Sequence, residues 1–231
     1  MPARRGSEQP SEPFGSAGQM ITPLLLAQLS AKIYDDATDW LHYLEIDGVI
    51  VGHAKDGDTD ILVLRGSATA EDWLRDGNAI PAWHPDLGMV HTGFIVGMDA
   101  VFAQVQSLVG PKVAITGHSL GGARARILAA MFAYKKLPVE MLCVFGSPKP
   151  AFMNLARIIS KSGMVHLSYR NRNDVVPTLP LTLPLLLDYE HTEQWTSVNA
   201  APALDCLEPL RDHSSVLYVQ ALSQAQNKQP V

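Results

Sequence analysis

The sequence predicts an α/β fold, a mostly parallel central sheet with helices on both faces. Three observations carry that prediction. Four short apolar runs, Ile61–Leu64, Val113–Thr116, Met141–Phe145 and Val165–Tyr169, read as strands buried on both sides. Stretches with three- and four-residue apolar spacing lie between them, and alternation of strand and helix implies parallel pairing under helical cover. At 231 residues and 47% hydrophobic content, the chain can bury such a sheet without staples.

Residues 1–19 hold three prolines, three glycines and three serines and almost nothing to bury. They are expected to stay outside the fold as a mobile leader or cloning remnant, leaving 20–231 as one domain. Order should begin at Thr22-Pro23, an N-cap and first-turn pair, with a helix through Leu24, Leu25, Leu26, Leu29 and Ile33. Leu44-Glu45-Ile46 and Val49-Ile50-Val51 flank Asp47-Gly48, a two-residue hairpin turn. Asp56-Gly57-Asp58-Thr59-Asp60 imitates the opening of a calcium loop. Ile61 and Ser67 stand where that loop needs glycine and glutamate, so it reads as a polar turn before a strand.

Phe94, Met98, Val101, Val105 and Leu108 recur at helical steps and predict one helix, with Gly110 placed to close it. Another helix follows Ser119 and stops before Pro138. A third runs from about Ala151 to Ser162 and ends at Gly163. Glu193-Gln194-Trp195-Thr196 reads as an edge strand, and Val216, Leu217, Val219 and Leu222 mark a terminal helix.

The formal charge of −5 gives no basic face for nucleic acid. No apolar stretch reaches the roughly 18 residues that span a bilayer. Arg4 and Arg5 lead into polar residues instead of an apolar h-region, so no secretory signal is expected. That leaves a cytoplasmic location as the default and export by another route open. Two cysteines, Cys143 and Cys206, are too few for a disulfide framework. Cys143 reads as a small buried hydrophobe, with a single bridge to Cys206 open. The sequence holds no H-E-x-x-H, C-x-x-C, Walker or dinucleotide glycine pattern, so no metal and no cofactor is implied.

Chemistry concentrates at Gly117-His118-Ser119-Leu120-Gly121, which fits G-x-S-x-G between a predicted strand and a predicted helix. Glycines two positions either side of Ser119 remove side chains from a sharp turn, leaving the hydroxyl above a helix N-terminus whose N–H groups can hold an oxyanion. A serine hydroxyl needs a base, and the base an orienting carboxylate, in the order Ser, Asp/Glu, His. His213, on the approach to the terminal helix, is the candidate base, with His191 as the alternative; His166 reads as a satisfied core residue inside a strand. Asp174, at the carboxyl end of a strand, is the candidate acid, with Asp188, Asp205 and Asp212 as rivals. Arg65-Gly66-Ser67 follows a buried strand, so the Ser67 N–H and the Leu120 N–H are candidate oxyanion donors. Arg124 and Arg126 set two cations near a helix start, against the dipole, with no sequence account.

The blocks Arg65-Gly66-Ser67, Asp72-Trp73-Leu74, His91-Thr92-Gly93-Phe94, Gly117 to Ala123, Phe145-Gly146-Ser147-Pro148, Asn173 to Pro177 and Asp212-His213 resemble, in order, the class 3 (fungal lipase-like) lipase family. The resemblance implies an α/β-hydrolase fold, ester hydrolysis, a triad of Ser119, Asp174 and His213, and an oxyanion hole of Ser67 and Leu120. Ser67 stands where threonine is commoner, which keeps the hydroxyl. It also implies a lid over residues 69–88 and an acyl-lining role for Trp73, Leu179, Leu181, Leu183 and Leu185. Ordinary packing is the competing reading for both. The expected partner is an ester or lipid substrate. Alternatives on the same triad are a short-chain esterase, a phospholipase A1 or an acyltransferase; an inactive lipase-like binding module is the alternative of another class.

Overall fold

The computed structural model describes residues 21–35, 37–67, 80–180, 189–199 and 211–227. The first helix, α1 (Pro23–Lys32), opens where its cap residues put it: Thr22 Oγ1 accepts from the Leu25 N–H at 3.2 Å and Pro23 takes the first turn. Strands β1 (His42–Ile46) and β2 (Val49–Asp56) form a hairpin across Asp47-Gly48, whose φ angles of 49° and 74° are those of a primed turn. The polar turn before the next strand is a second hairpin. It joins β2 to β3 (Thr59–Leu64), with Asp58 held by Lys112 at 2.7 Å and Asp60 facing His53 at 2.9 Å.

A separate hairpin follows, β4 (Pro81–His84) and β5 (Gly88–His91), and leads into α2 (Thr92–Ile95) and α3 (Met98–Val105). The remaining elements alternate: β6 (Val113–His118), α4 (Leu120–Tyr134), β7 (Met141–Phe145), α5 (Met153–Ser162), β8 (Val165–Asn171), β9 (Thr196–Val198) and α6 (Ser215–Gln226). The seven-stranded sheet runs β1-β2-β3-β6-β7-β8-β9. Strands β3 to β9 pair in parallel and β1–β2–β3 antiparallel at one edge.

Alternation along the strands divides the core between two faces. Leu62 and Leu64 of β3 pack with Phe94, Met98, Val101, Leu128 and Ile159, from α2 to α5. Ile61 and Val63 join Cys143 and Phe145 against Leu26 and Leu29 of α1, Ile33 at its C-cap, and Tyr218 and Leu222 of α6. Both faces are thus covered, as strands buried throughout require.

Registers align the carboxyl ends. Leu64 pairs with Gly117, His118 with Phe145, and Phe145 with Tyr169. The chain therefore leaves β3, β6, β7 and β8 along one rim of the sheet, where ligands and catalytic groups collect in such folds.

Two expectations need correction. The single helix from Phe94 to Leu108 is two, broken at Gly97, and α3 ends at Val105. Gly110 closes nothing; its N–H donates to Asp60 Oδ2 at 2.8 Å. Apolar periodicity runs straight through the break because both pieces face the same core, so spacing alone does not expose it. The edge strand begins at Thr196, later than Glu193. Cys143 is the small buried residue expected, a free thiol in β7 whose pKa burial pushes up. Its sequence partner, Cys206, lies outside the described residues.

The break at Gly97 yields a test. Its φ is 79°, and an added Cβ would meet Val49 Cγ2 at 3.0 Å and Asp47 O at 3.1 Å. Gly97→Ala should lower stability by about 1–2 kcal/mol from backbone strain alone, read as a lower urea midpoint. An unchanged midpoint would mean that the helix break does not depend on glycine.

Candidate active site

Ser119 sits at the turn from β6 into α4 with φ 58° and ψ −132°, a conformation rare for a side-chain-bearing residue. Its N–H donates to Phe145 O at 2.9 Å, so the turn stays tied to the neighbouring strand. The flanking glycines permit this close passage. A Cβ on Gly117 would collide with Gly121, and one on Gly121 with the Leu64 carbonyl. With these spaces empty, the helix starts directly under the serine and presents its first-turn N–H groups, that of Leu120 among them.

His213 Nε2 lies 2.7 Å from Ser119 Oγ, and His213 Nδ1 lies 2.8 Å from Asp174 Oδ2. The carboxylate accepts at Nδ1, so that nitrogen carries the proton and Nε2 offers its lone pair to the hydroxyl. Asp174 has no exposed surface and its charge is met by three donors. Besides the imidazole these are Tyr218 O–H on Oδ2 at 2.6 Å and Val176 N–H on Oδ1 at 2.9 Å. Three residues separated by 55 and 39 positions in sequence thus meet in one hydrogen-bonded line, able to move a proton from the hydroxyl to the imidazole and stabilise the cation formed. Ser67 follows Gly66, which packs so closely on the nucleophile turn that a Cβ there would meet His118 O at 2.8 Å and Gly121 N at 3.3 Å.

The other candidates go elsewhere. His191 is not at the serine: Nε2–H donates to Pro177 O at 2.5 Å and Nδ1 faces Arg126 at 3.4 Å. His166 is less satisfied than a core histidine should be, because its Nδ1 has no partner among the described residues. Asp212 is buried but accepts from the Asn173 N–H at 3.2 Å instead of holding an imidazole. Asp188, Asp205, Trp73, Leu181, Leu183 and Leu185 lie outside the described residues; Leu179 is half-buried, with its carbonyl accepting from the Lys149 N–H at 2.7 Å. Of the stretch expected to form a lid, residues 69–79 are likewise outside. The rest enters the β4–β5 hairpin, with Leu87 in the core and Trp83 72% exposed.

Two residues escaped the sequence reading. Tyr218 counts among the apolar positions of α6, and nothing local says that its hydroxyl will find a carboxylate 44 positions away. His118 looks like a motif spacer, yet its Nε2–H donates to the backbone carbonyl of His213 at 2.6 Å and fixes that residue's main chain.

Comparison with known proteins agrees with this architecture. The sequence profile of the lipase (class 3) family matches residues 61–183. A lipase of Rhizomucor miehei is 28% identical over 192 residues, which is 73% of this chain and 52% of that protein. A secreted mono- and diacylglycerol lipase 1 of Fusarium solani is 30% identical over 58% of this chain and 43% of its own length. The chain spans about half the length of these relatives. Among solved structures, the Rhizomucor miehei lipase–propeptide complex superposes with a TM-score of 0.65 at 24% identity, covering 87% of this chain and 77% of that one. A triacylglycerol lipase whose catalytic centre is a serine protease triad superposes at 0.61 and 22%, covering 85% and 91%.

Four histidines of the fold are held neutral by burial. Burial pushes His91 down to about 4, and burial followed by the nearby Arg126 charge pushes His166 and His191 down to about 3. His118 is driven well below 6.5 by burial and by His213. Between these values and the ordinary 6.5, the unfolded chain binds more protons than the folded one, so stability is complete above about pH 6.5 and falls as the solution is acidified. The melting temperature should therefore drop between about pH 7 and pH 5, and His166→Leu should shrink that drop. A flat profile across that range would contradict the buried neutral imidazoles.

Proposed function

The chain belongs to the class 3 lipase family, and from that premise we propose that it hydrolyses carboxylic esters, with lipid esters as the substrate class. One observation carries the reading: His213 bridges Ser119 Oγ and the buried Asp174 carboxylate at 2.7 and 2.8 Å. In the proposed reaction, Ser119 Oγ attacks the ester carbonyl while its proton passes to His213 Nε2. The tetrahedral oxyanion is held by the N–H groups of Ser67 and Leu120. His213 then protonates the leaving alcohol, an acyl-Ser119 forms, and water activated by the same nitrogen releases the acid. Asp174 keeps the imidazole in the required tautomer and balances its charge throughout.

The lipid preference rests on the names of the relatives, a lipase and a mono- and diacylglycerol lipase, and on the apolar sequence from Leu179 to Leu187. Ser119→Ala and His213→Ala should each cut kcat on p-nitrophenyl esters by about 10⁴-fold or more. Turnover within about tenfold of the parent in folded Ser119→Ala would remove Ser119 from the role. If an acyl slot exists, kcat/KM should climb roughly fourfold per added methylene, about 0.8 kcal/mol each, before levelling off.

A further inference from the structure

Arg126 lies two helical turns below Ser119 on α4 and is the bulkiest fully buried side chain of the described residues, with no exposed surface. Among those residues no carboxylate comes within ion-pair distance of it, and its Nε–H has no acceptor. Burial lowers its pKa to about 9, with the charge of Glu193 pulling the other way. Among the described residues, every bond it makes is to a neutral group. Nη2 donates to Ser168 Oγ on β8 at 2.7 Å. Nη1 faces Ser147 Oγ at 3.1 Å, Pro148 O at 3.2 Å and His191 Nδ1 at 3.4 Å.

A guanidinium placed there is costly, and an apolar side chain of similar volume would fill the space with less desolvation. What the arginine adds is a set of directed bonds reaching loops that an apolar side chain cannot hold. One of these bonds leads back to the triad. Arg126 has only donors, so His191 must meet it with a bare Nδ1, which puts the proton on Nε2, where it donates to Pro177 O at 2.5 Å. Pro177 lies in the short 3₁₀ turn Val176–Thr178, and the N–H of Val176 donates to Asp174 Oδ1 at 2.9 Å. The same guanidinium also grips Ser147 and Pro148, at the exit of β7 beside that turn.

We propose that Arg126 is a positioning residue for the acid of the triad, working through neutral His191 to fix the turn whose Val176 N–H aims the Asp174 carboxylate at His213. Nucleophile and acid are then referenced to one helix: Ser119 caps it and Arg126 projects from it toward the acid loop. This inference rests on the triad reading given above.

The test compares Arg126→Met, Arg126→Lys and His191→Leu with the parent. Three readouts are taken: kcat and KM on a soluble ester, melting temperature, and the downfield proton resonance of His213 Nδ1–H shared with Asp174. Arg126→Met and His191→Leu should lose about 10- to 100-fold in kcat with little change in KM, the scale expected for a misplaced reacting group. Their downfield resonance should shift or broaden. Arg126→Lys, which keeps a donor and the charge, should recover part of both signals. Parental kcat and an unmoved resonance in folded His191→Leu would overturn the proposal. So would an activity loss that only follows a lower melting temperature while the resonance stays put. If Arg126 variants do not fold, His191→Leu decides, because it cuts the link from a half-buried site and leaves the helix intact. If the parent hydrolyses no ester, the triad reading fails separately, and the resonance alone still judges whether Arg126 orients Asp174.

Discussion

The rim of the sheet is organised around one constraint, an ionised carboxylate with no exposed surface. Asp174 can remain charged inside the protein only if donors replace its water, and three of them do: an imidazole, a phenol and a backbone N–H. The donors come from two places, the start of α6 and the turn after the acid. His213 arrives on the approach to α6, Tyr218 from one turn inside it, and Val176 from the turn after the acid. Satisfying the carboxylate therefore docks the C-terminal helix against β8 and sets the imidazole over Ser119 in one operation. The line from Ser119 to Asp174 and the local packing of the rim rest on the same set of bonds.

A second constraint acts on the opposite side of the nucleophile. The turn at Ser119 is affordable because the glycines around it let β3, β6 and α4 approach backbone to backbone. That approach is what carries Ser67 beside the helix start. His118 stands beside His213, with its Nε2–H on the His213 carbonyl and the Tyr34 hydroxyl 3.4 Å from its Nδ1. Its burial keeps extra positive charge away from His213, whose ring centroid lies only 4.6 Å from that of His118. A charged His118 there would oppose the imidazolium that the proposed reaction needs.

Much of this was legible in the sequence because it is written locally. Runs such as Ile61–Leu64 and Val113–Thr116 are strands because continuous apolar residues admit few alternatives, and Thr22-Pro23, Asp47-Gly48 and Gly163 mark the start of α1, the β1–β2 turn and the end of α5 by backbone chemistry. The nucleophile turn is equally local. His213 is favoured over His191 by its place on the approach to the terminal helix and Asp174 over Asp212 by its strand end, and the structure brings that pair to Ser119. What stayed hidden depends on long separations. Tyr218 meets Asp174 across 44 positions, and Arg126 meets Ser168 across 42. A tyrosine on an apolar helix face looks ordinary until the fold closes, and an arginine near a helix start stands out against the dipole without showing what it will meet. Gly97 hid for a different reason, since the helix it breaks keeps its apolar stripe on both sides.

The account stands on the claim that Ser119, His213 and Asp174 form one working line beneath two backbone donors. A crystal structure after reaction with a fluorophosphonate tests it most directly. The expected result is a phosphorus–oxygen bond to Ser119 Oγ alone, with the phosphoryl oxygen facing the N–H groups of Leu120 and Ser67 and His213 still seated on Asp174. An adduct on any other residue, or a phosphoryl oxygen turned away from both N–H groups, would contradict it.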